Sequence, residues 1–188
     1  MDLQVSPSTQ SQALSALLLL YRELLERDLD LEGVVRARKP QRLPVVLTEE
    51  EVRSVLQRLE GSEALVAGLL YGSGLRLMEA LRLRVHDLDF NRQELTVRHG
   101  KGGKDRRTML PNRLSKKLRI HLEEVRIVHK RDLMDGWGQV QFPYALARKY
   151  RNAVTEWGWQ WVFPQHRRWK DPTSEQQGRH HLDPSLIQ

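Results

Sequence analysis

The sequence predicts a mainly helical α+β protein with one small antiparallel sheet. Three observations point there. Apolar residues recur at three- and four-residue steps in several long stretches, alternation of period two is confined to one segment near the middle, and that segment turns on a glycine-rich tip. The chain has 188 residues, enough for one sizeable domain or a domain and part of another.

From Ser11 to Leu29, residues Leu14, Leu17, Leu18, Tyr21, Leu24, Leu25 and Leu29 mark one face of an amphipathic helix, with charged residues around it. One helix cannot bury its own stripe, so residues 1–32 are expected to be the last helix of a truncated domain. Residues 33–44 (GVVRARKPQRLP) lack any period and carry Arg36, Arg38, Lys39 and Arg42, which is a basic linker. A second domain is expected over 45–188. Thr48 opens it as a helix N-cap, with Glu51 placed to complete a capping box.

Ala64 to Tyr71 (ALVAGLLY) is nearly all apolar and reads as a buried helix, ended by the Gly72-Ser73-Gly74 break. A further helix is expected over Arg76 to Val85, with Arg76 at its start. The segments ELTVRHG and RRTML alternate on either side of GKGGKD, giving a hairpin over 94–110 with Lys101 and Lys104 at its tip. Pro111 then opens a long helix whose inner face is Leu114, Leu118, Leu122, Val125 and Val128. From Asp135 the pattern weakens: residues 135–164 hold four of the five tryptophans, a short helix is expected around Tyr144 to Val154, a strand at Trp161 to Phe163, and loop after Pro164.

There are 31 Lys and Arg against 24 Asp and Glu, a net charge of +7. That suits a polyanionic partner and equally suits mere solubility. No cysteine is present, which excludes disulfides and thiolate metal sites. The longest apolar run, Ala16 to Tyr21, is far too short to cross a bilayer, and a soluble protein of the cytoplasm is expected. There is no HExxH, no GxxxxGK[ST] around Gly100, and no third glycine to make Gly72-Ser73-Gly74 a dinucleotide fingerprint. Arg76 has a plain reading as a cation paired with Glu79 one turn on. Lys and Gly in the hairpin tip are ordinary turn residues unless they meet a phosphate.

YGSGLRLMEALRLRVHDLDF followed by ELTVRHGKGGKDRRTMLP resembles the first half of the catalytic domain of the tyrosine recombinases, the phage integrase family. RLPVVLTEEEV, YALARKY, EWGWQWVFP and HHLDPS make the chain look closest to the integron integrases within it. The resemblance implies that Arg76 is the first catalytic arginine, on the non-bridging oxygens of the scissile phosphate, and that Glu79 supports it from behind. It implies that Lys101 is the hairpin lysine that enters the minor groove and protonates the leaving 5′-hydroxyl, with Lys104 and Arg106 on neighbouring phosphates. DNA contacts are further expected at the linker cations. Residues from about 135 to 183 would be the insert that holds extrahelical bases of a folded single-stranded site, with Pro143, Trp159, His180 and His181 as its base-binding residues, against the bland alternative of core tryptophans and a surface His-His pair.

The same resemblance implies site-specific recombination of gene cassettes through a phosphotyrosyl bond, with no metal or ATP, by a tetramer on DNA in the bacterial nucleoid. The family's His-x-x-Arg pair and tyrosine nucleophile are not matched: the residue three after each of the seven histidines is never Arg, and Tyr21, Tyr71, Tyr144 and Tyr150 all fall in expected helices. The chain is therefore expected to be a fragment, monomeric, that binds DNA without cutting it. A non-catalytic DNA-binding remnant is the competing expectation.

Overall fold

The structure is a computed structural model that describes residues 5–29, 31–35, 43–98, 100–142, 153–172 and 176–187, with Lys101 described in its backbone only. The chain forms two compact units, Met1–Leu47 and Thr48–Gln188.

In the first unit, α1 spans Pro7–Leu19. The Ser6 side chain accepts the Thr9 N–H at 3.3 Å and Pro7 occupies the first turn, so the start is built as such residues dictate. The helix does not run on to Leu29 as the periodicity predicts. It passes into a π-helical stretch, Leu20–Leu24, and Glu26 then takes a positive φ of 49°. No residue of α1 is buried. Helical ladders in proteins are held mainly by packing of an apolar face, and without a packed face the pitch opens and the helix ends early.

The second unit begins with α2 (Glu49–Arg58), closed by the expected capping box: Thr48 N–H donates to Glu51 Oε2 at 2.8 Å and Glu51 N–H donates to Thr48 Oγ1 at 3.3 Å. Next comes α3 (Gly61–Ser73), which buries Leu65, Val66 and Leu69 and ends at Gly74 in the left-handed region, φ 63°. A Cβ on Gly72 would sit 2.6 Å from Pro111 Cγ, so the end of α3 can approach the hairpin's exit only as glycine. Thr108 Oγ1 donates to the Ser73 carbonyl at 2.9 Å and satisfies one of the free acceptors there.

The helix expected over Arg76 to Val85 is shorter: α4 is Leu77–Leu81. Its continuation is bonded elsewhere. Val162 N–H donates to the Leu83 carbonyl and Val85 N–H to the Gln160 carbonyl, at 2.9 and 3.0 Å, and a 3-10 turn, Val85–Asp87, follows. A three-stranded antiparallel sheet of order β1-β2-β3 comes next, from Leu88–Asp89, Glu94–Val97 and Arg106–Met109. The alternation signalled β2 and β3; β1 is too short to show a period. Leu95 pairs with Thr108 and Val97 with Arg106, a register that puts Leu95 and Val97 into the core at 0% and 1% exposure.

The long helix α5 (Asn112–Met134) packs Leu118 and Leu122 into the same core as α3 and the sheet, buries Val125 near Gln160 and Trp161, and in its last turns buries His129 and Asp132. Trp161 to Phe163 is not a strand. Trp161 makes a single bridge to Arg84, while Val162 and Phe163 fill the core at 0% and 1% exposure. The segment after Pro164 is more ordered than its polarity suggests: β4 (Trp169–Lys170) pairs with β5 (Gln177–Gly178), and Leu182 N–H returns to the Phe163 carbonyl at 2.7 Å. Most of the helix expected around Tyr144 to Val154 lies outside the described residues; Ala153–Thr155 is a 3-10 turn. No helix among the described residues is long and apolar enough to cross a membrane.

Candidate nucleic-acid interface

Three elements bring Arg76, Glu79 and Arg106 together. Arg76 stands where α3 has ended at Gly74 and α4 has not begun, so its side chain leaves the backbone at a helix start, 59% exposed. Glu79, one turn into α4, is 9% exposed and sits under it. Its Oε2 accepts the Arg76 backbone N–H and its Oε1 accepts Arg76 Nη1–H, both at 2.9 Å. Arg106, at the start of β3, donates Nη1–H and Nη2–H to the two oxygens of the same carboxylate, at 2.8 and 2.7 Å. One carboxylate thus orients two guanidinium groups, and the Arg106 pair has the bidentate geometry for which arginine is suited.

The Arg106 hydrogen bonds hold the Glu79 carboxyl down at about 2, against a burial that would raise it, with Arg76 adding to the same effect. The carboxylate raises Arg106 in return. Gly74, Arg76, Lys104 and Arg106 line one concavity of about 450 Å³. Two arginines share one negative charge there, so the concavity keeps a positive balance and presents N–H donors to an anion. Gly100 lies against the Arg106–Glu79 pair: a Cβ there would be 3.1 Å from Arg106 Nη1 and 3.4 Å from Glu79 Oε1. Lys101 opens the 3-10 turn Lys101–Gly103 at the tip, with Gly102 and Gly103 at φ 78° and 72°, conformations that glycine adopts freely.

A second concavity adjoins the other side of α4. It encloses about 270 Å³ and is lined by Met78, Glu79, Arg82, Arg84, Asp87, Arg98, Asp105, Phe142, Trp159 and Trp161. Arg84, which sequence reasoning missed, is its main support. Its guanidinium lies 3.2 Å from the centre of the Trp161 ring and donates to the Trp159 and Gln141 carbonyls, each at 2.8 Å. Burial pushes it down from 12.5 to about 10, with Asp87 opposing. Asp87, 3% exposed, accepts the Arg84 N–H at 2.9 Å and Arg98 Nε–H at 2.7 Å. The signal was present: Arg84 and Asp87 repeat the spacing of Arg76 and Glu79, a cation followed three residues on by the carboxylate that takes its backbone N–H.

Trp159 lies in the wall of this second concavity, edge-on to Phe142 at 4.6 Å and to His86 at 4.2 Å. The histidines do not line it. His181 meets Trp161 edge-on at 5.4 Å, and His180 is stacked on Trp169 at 4.5 Å, its imidazole pushed down by burial and by the neighbouring His181. That segment is anchored by Asp132, 4% exposed, which receives Arg168 and Arg179 side chains at 2.5 to 3.0 Å. Burial would raise the Asp132 carboxyl, and the two arginines outweigh it and lower it. Arg36, Arg38, Lys39, Arg42 and Pro143 lie outside the described residues.

The sequence of residues 45–185 matches the phage integrase family. Proteins described as integrase/recombinase from Escherichia coli and from Pseudomonas aeruginosa are each 48% identical over 180 residues, covering 95% of this chain and 53% of theirs. A tyrosine recombinase XerA from Pyrococcus furiosus is 41% identical over 86 residues, 44% of this chain and 30% of its own. A crystal structure of XerA recombinase aligns with 98% of this chain and 52% of its own at 20% identity and a TM-score of 0.46. The chain spans about half the length of the integrase/recombinase relatives. By its match over residues 45–185 and its 48% identity to those relatives, the chain belongs to the phage integrase family, the tyrosine recombinases.

Proposed function

We propose that this chain carries the phosphate-gripping part of a DNA strand-exchange site, used in site-specific recombination of gene cassettes. The observation that supports the reading best is the pair of guanidinium groups fixed by one nearly buried carboxylate, Glu79, in an open, positively balanced concavity. Such a pair is preorganised for the non-bridging oxygens of a phosphodiester and for the charge that grows on them during displacement. Arg76 is the phosphate-binding catalytic residue in this reading, and Arg106 and Lys104 are phosphate contacts. Lys101 is the general acid toward the leaving 5′-hydroxyl, and Glu79 the positioning carboxylate. The linker cations Arg36, Arg38, Lys39 and Arg42 follow the backbone.

In the complete reaction a tyrosine hydroxyl attacks phosphorus, the phosphotyrosyl bond replaces the bond to the 5′-oxygen, and that oxygen takes a proton. The bond energy is kept, so neither a metal nor ATP is required. The 188 residues contain no histidine followed three residues later by arginine. Acting alone they are expected to bind DNA without cutting it, and that observation keeps a non-catalytic DNA-binding role as the second reading. The aromatic concavity with Trp159 is proposed to hold an unstacked base of a folded single-stranded site, since stacking on an aromatic ring is worth ~1–3 kcal/mol and tolerates any base. Pro143, His180 and His181 are proposed as further base contacts, the two histidines outside that concavity.

Fluorescence anisotropy of the chain on a duplex, over a salt series, tests the core of the reading. Binding is expected to weaken steeply with salt, and Arg76→Ala is expected to weaken it at every salt and to reduce the logarithmic slope by about one. Unaltered affinity and slope in Arg76→Ala would place the DNA elsewhere.

A further inference from the structure

The outward face of α5 carries an apolar stripe that the proposed DNA site does not use. Ile120, Ile127 and Met134 recur every seven residues and are 55%, 60% and 81% exposed. A seven-residue step drifts by only ~20° around an α-helix, so the three side chains form one nearly straight seam. The opposite face, Leu118, Leu122 and Val125, is already packed into the core. Exposed apolar side chains aligned along a helix in this way mark a contact surface.

The charges beside the seam say which partner it fits. Glu123 and Lys130 lie seven residues apart on one flank, and Glu124 and Arg131 seven apart on the other; all four are exposed. Between Ile120 and Met134 each flank is acidic before Ile127 and basic after it; Lys116 and Lys117, one heptad earlier, lie beyond the stretch that an antiparallel copy of the seam covers. Placed against a second α5 running antiparallel, with the two-fold axis at Ile127, each flank meets its own copy in reverse. Glu123 of one chain then faces Lys130 of the other, Glu124 faces Arg131, and Ile120 faces Met134. A parallel arrangement would instead set Glu123 against Glu124 and Lys130 against Arg131, like charges that repel.

From this pattern we infer that α5 is a self-association surface, on which two copies of this chain pair antiparallel about Ile127. Three apolar side chains from each copy bury less than the ~1,200 Å² of a standard interface, so the pairing is weak and a covalent trap is the suitable readout. The protein has no cysteine, and each single cysteine introduced therefore reports alone.

At the two-fold axis, Ile127→Cys meets its own copy within disulfide range, whereas two copies of residue 120 are separated along the axis by twice seven residues, ~21 Å. Under mild oxidation Ile127→Cys is expected to give covalent dimer at least about tenfold faster than Ile120→Cys, because apposition raises the effective concentration. A mixture of Ile120→Cys and Met134→Cys chains is expected to give the heterodimer. Adding Glu123→Lys and Glu124→Lys to Ile127→Cys should abolish the trap, and mixing that chain with one carrying Ile127→Cys, Lys130→Glu and Arg131→Glu should restore it. Equal dimer from Ile127→Cys and Ile120→Cys, or none from Ile127→Cys, would overturn the inference. These positions are all exposed, so the substitutions leave the core untouched.

Discussion

Arg76 and Arg84 are eight residues apart, each followed three residues later by a carboxylate that accepts its backbone N–H, yet their side chains serve opposite ends. Arg76 stays 59% exposed and turns its remaining donors to an open concavity. Arg84 is stacked on Trp161 and gives its donors to two backbone carbonyls 57 and 75 residues away in the chain. The local device is the same, and the fate of the guanidinium is decided by what lies beyond it. The same division separates Glu79 from Asp132. Glu79 orients cations that face outward, whereas Asp132 draws Arg168 and Arg179 inward and ties the end of the chain to α5.

The contrast can be broken most strongly at Asp132. In Asp132→Ala, Arg168 and Arg179 lose the carboxylate that compensates them in a partly buried place, and the domain is expected to lose about 3 kcal/mol in urea denaturation. An unchanged midpoint would mean that the tail is not anchored there.

Glu79→Gln removes the charge but keeps the shape, and a loss of about 2 kcal/mol is expected from the charge-assisted hydrogen bonds. The pH dependence has a definite sign. The folded carboxyl titrates at about 2 and the unfolded one at 4.5, so its stabilisation is full above pH 4.5 and disappears as pH falls from there toward 2. Acid titration of wild type and Glu79→Gln should diverge above that window and converge within it. A smaller effect is expected at the buried arginine: Arg84→Lys cannot reach both carbonyls while stacking on Trp161, and should cost about 1.5 kcal/mol while leaving duplex binding unaltered.

What was legible in the sequence follows this division. Thr48 with Glu51, Arg76 with Glu79, and the Leu95 and Val97 alternation are local patterns whose partners lie within a few residues, and the structure has them. The Asp132 cluster spans 36 to 47 residues, and no short window holds both partners. The expected strand at Trp161 to Phe163 and helix through Val85 failed for one shared reason, since those two segments bond to each other through Leu83 and Gln160 in place of extending their own ladders. The leucines of α1 show the opposite error: the periodicity was real, but nothing among the described residues buries them, and α pitch is kept only to Leu19.

In the proposed site an outward arginine pair grips phosphate while the aromatic concavity beside it takes an unstacked base. Anisotropy of this chain on a folded hairpin with extrahelical bases, against a perfect duplex of the same sequence, separates the two. The hairpin is expected to bind about tenfold more tightly, 1.4 kcal/mol. Trp159→Leu should remove that preference, and Arg76→Ala should weaken both ligands alike. Equal binding of hairpin and duplex by the wild-type chain would contradict the claim and leave only a basic surface.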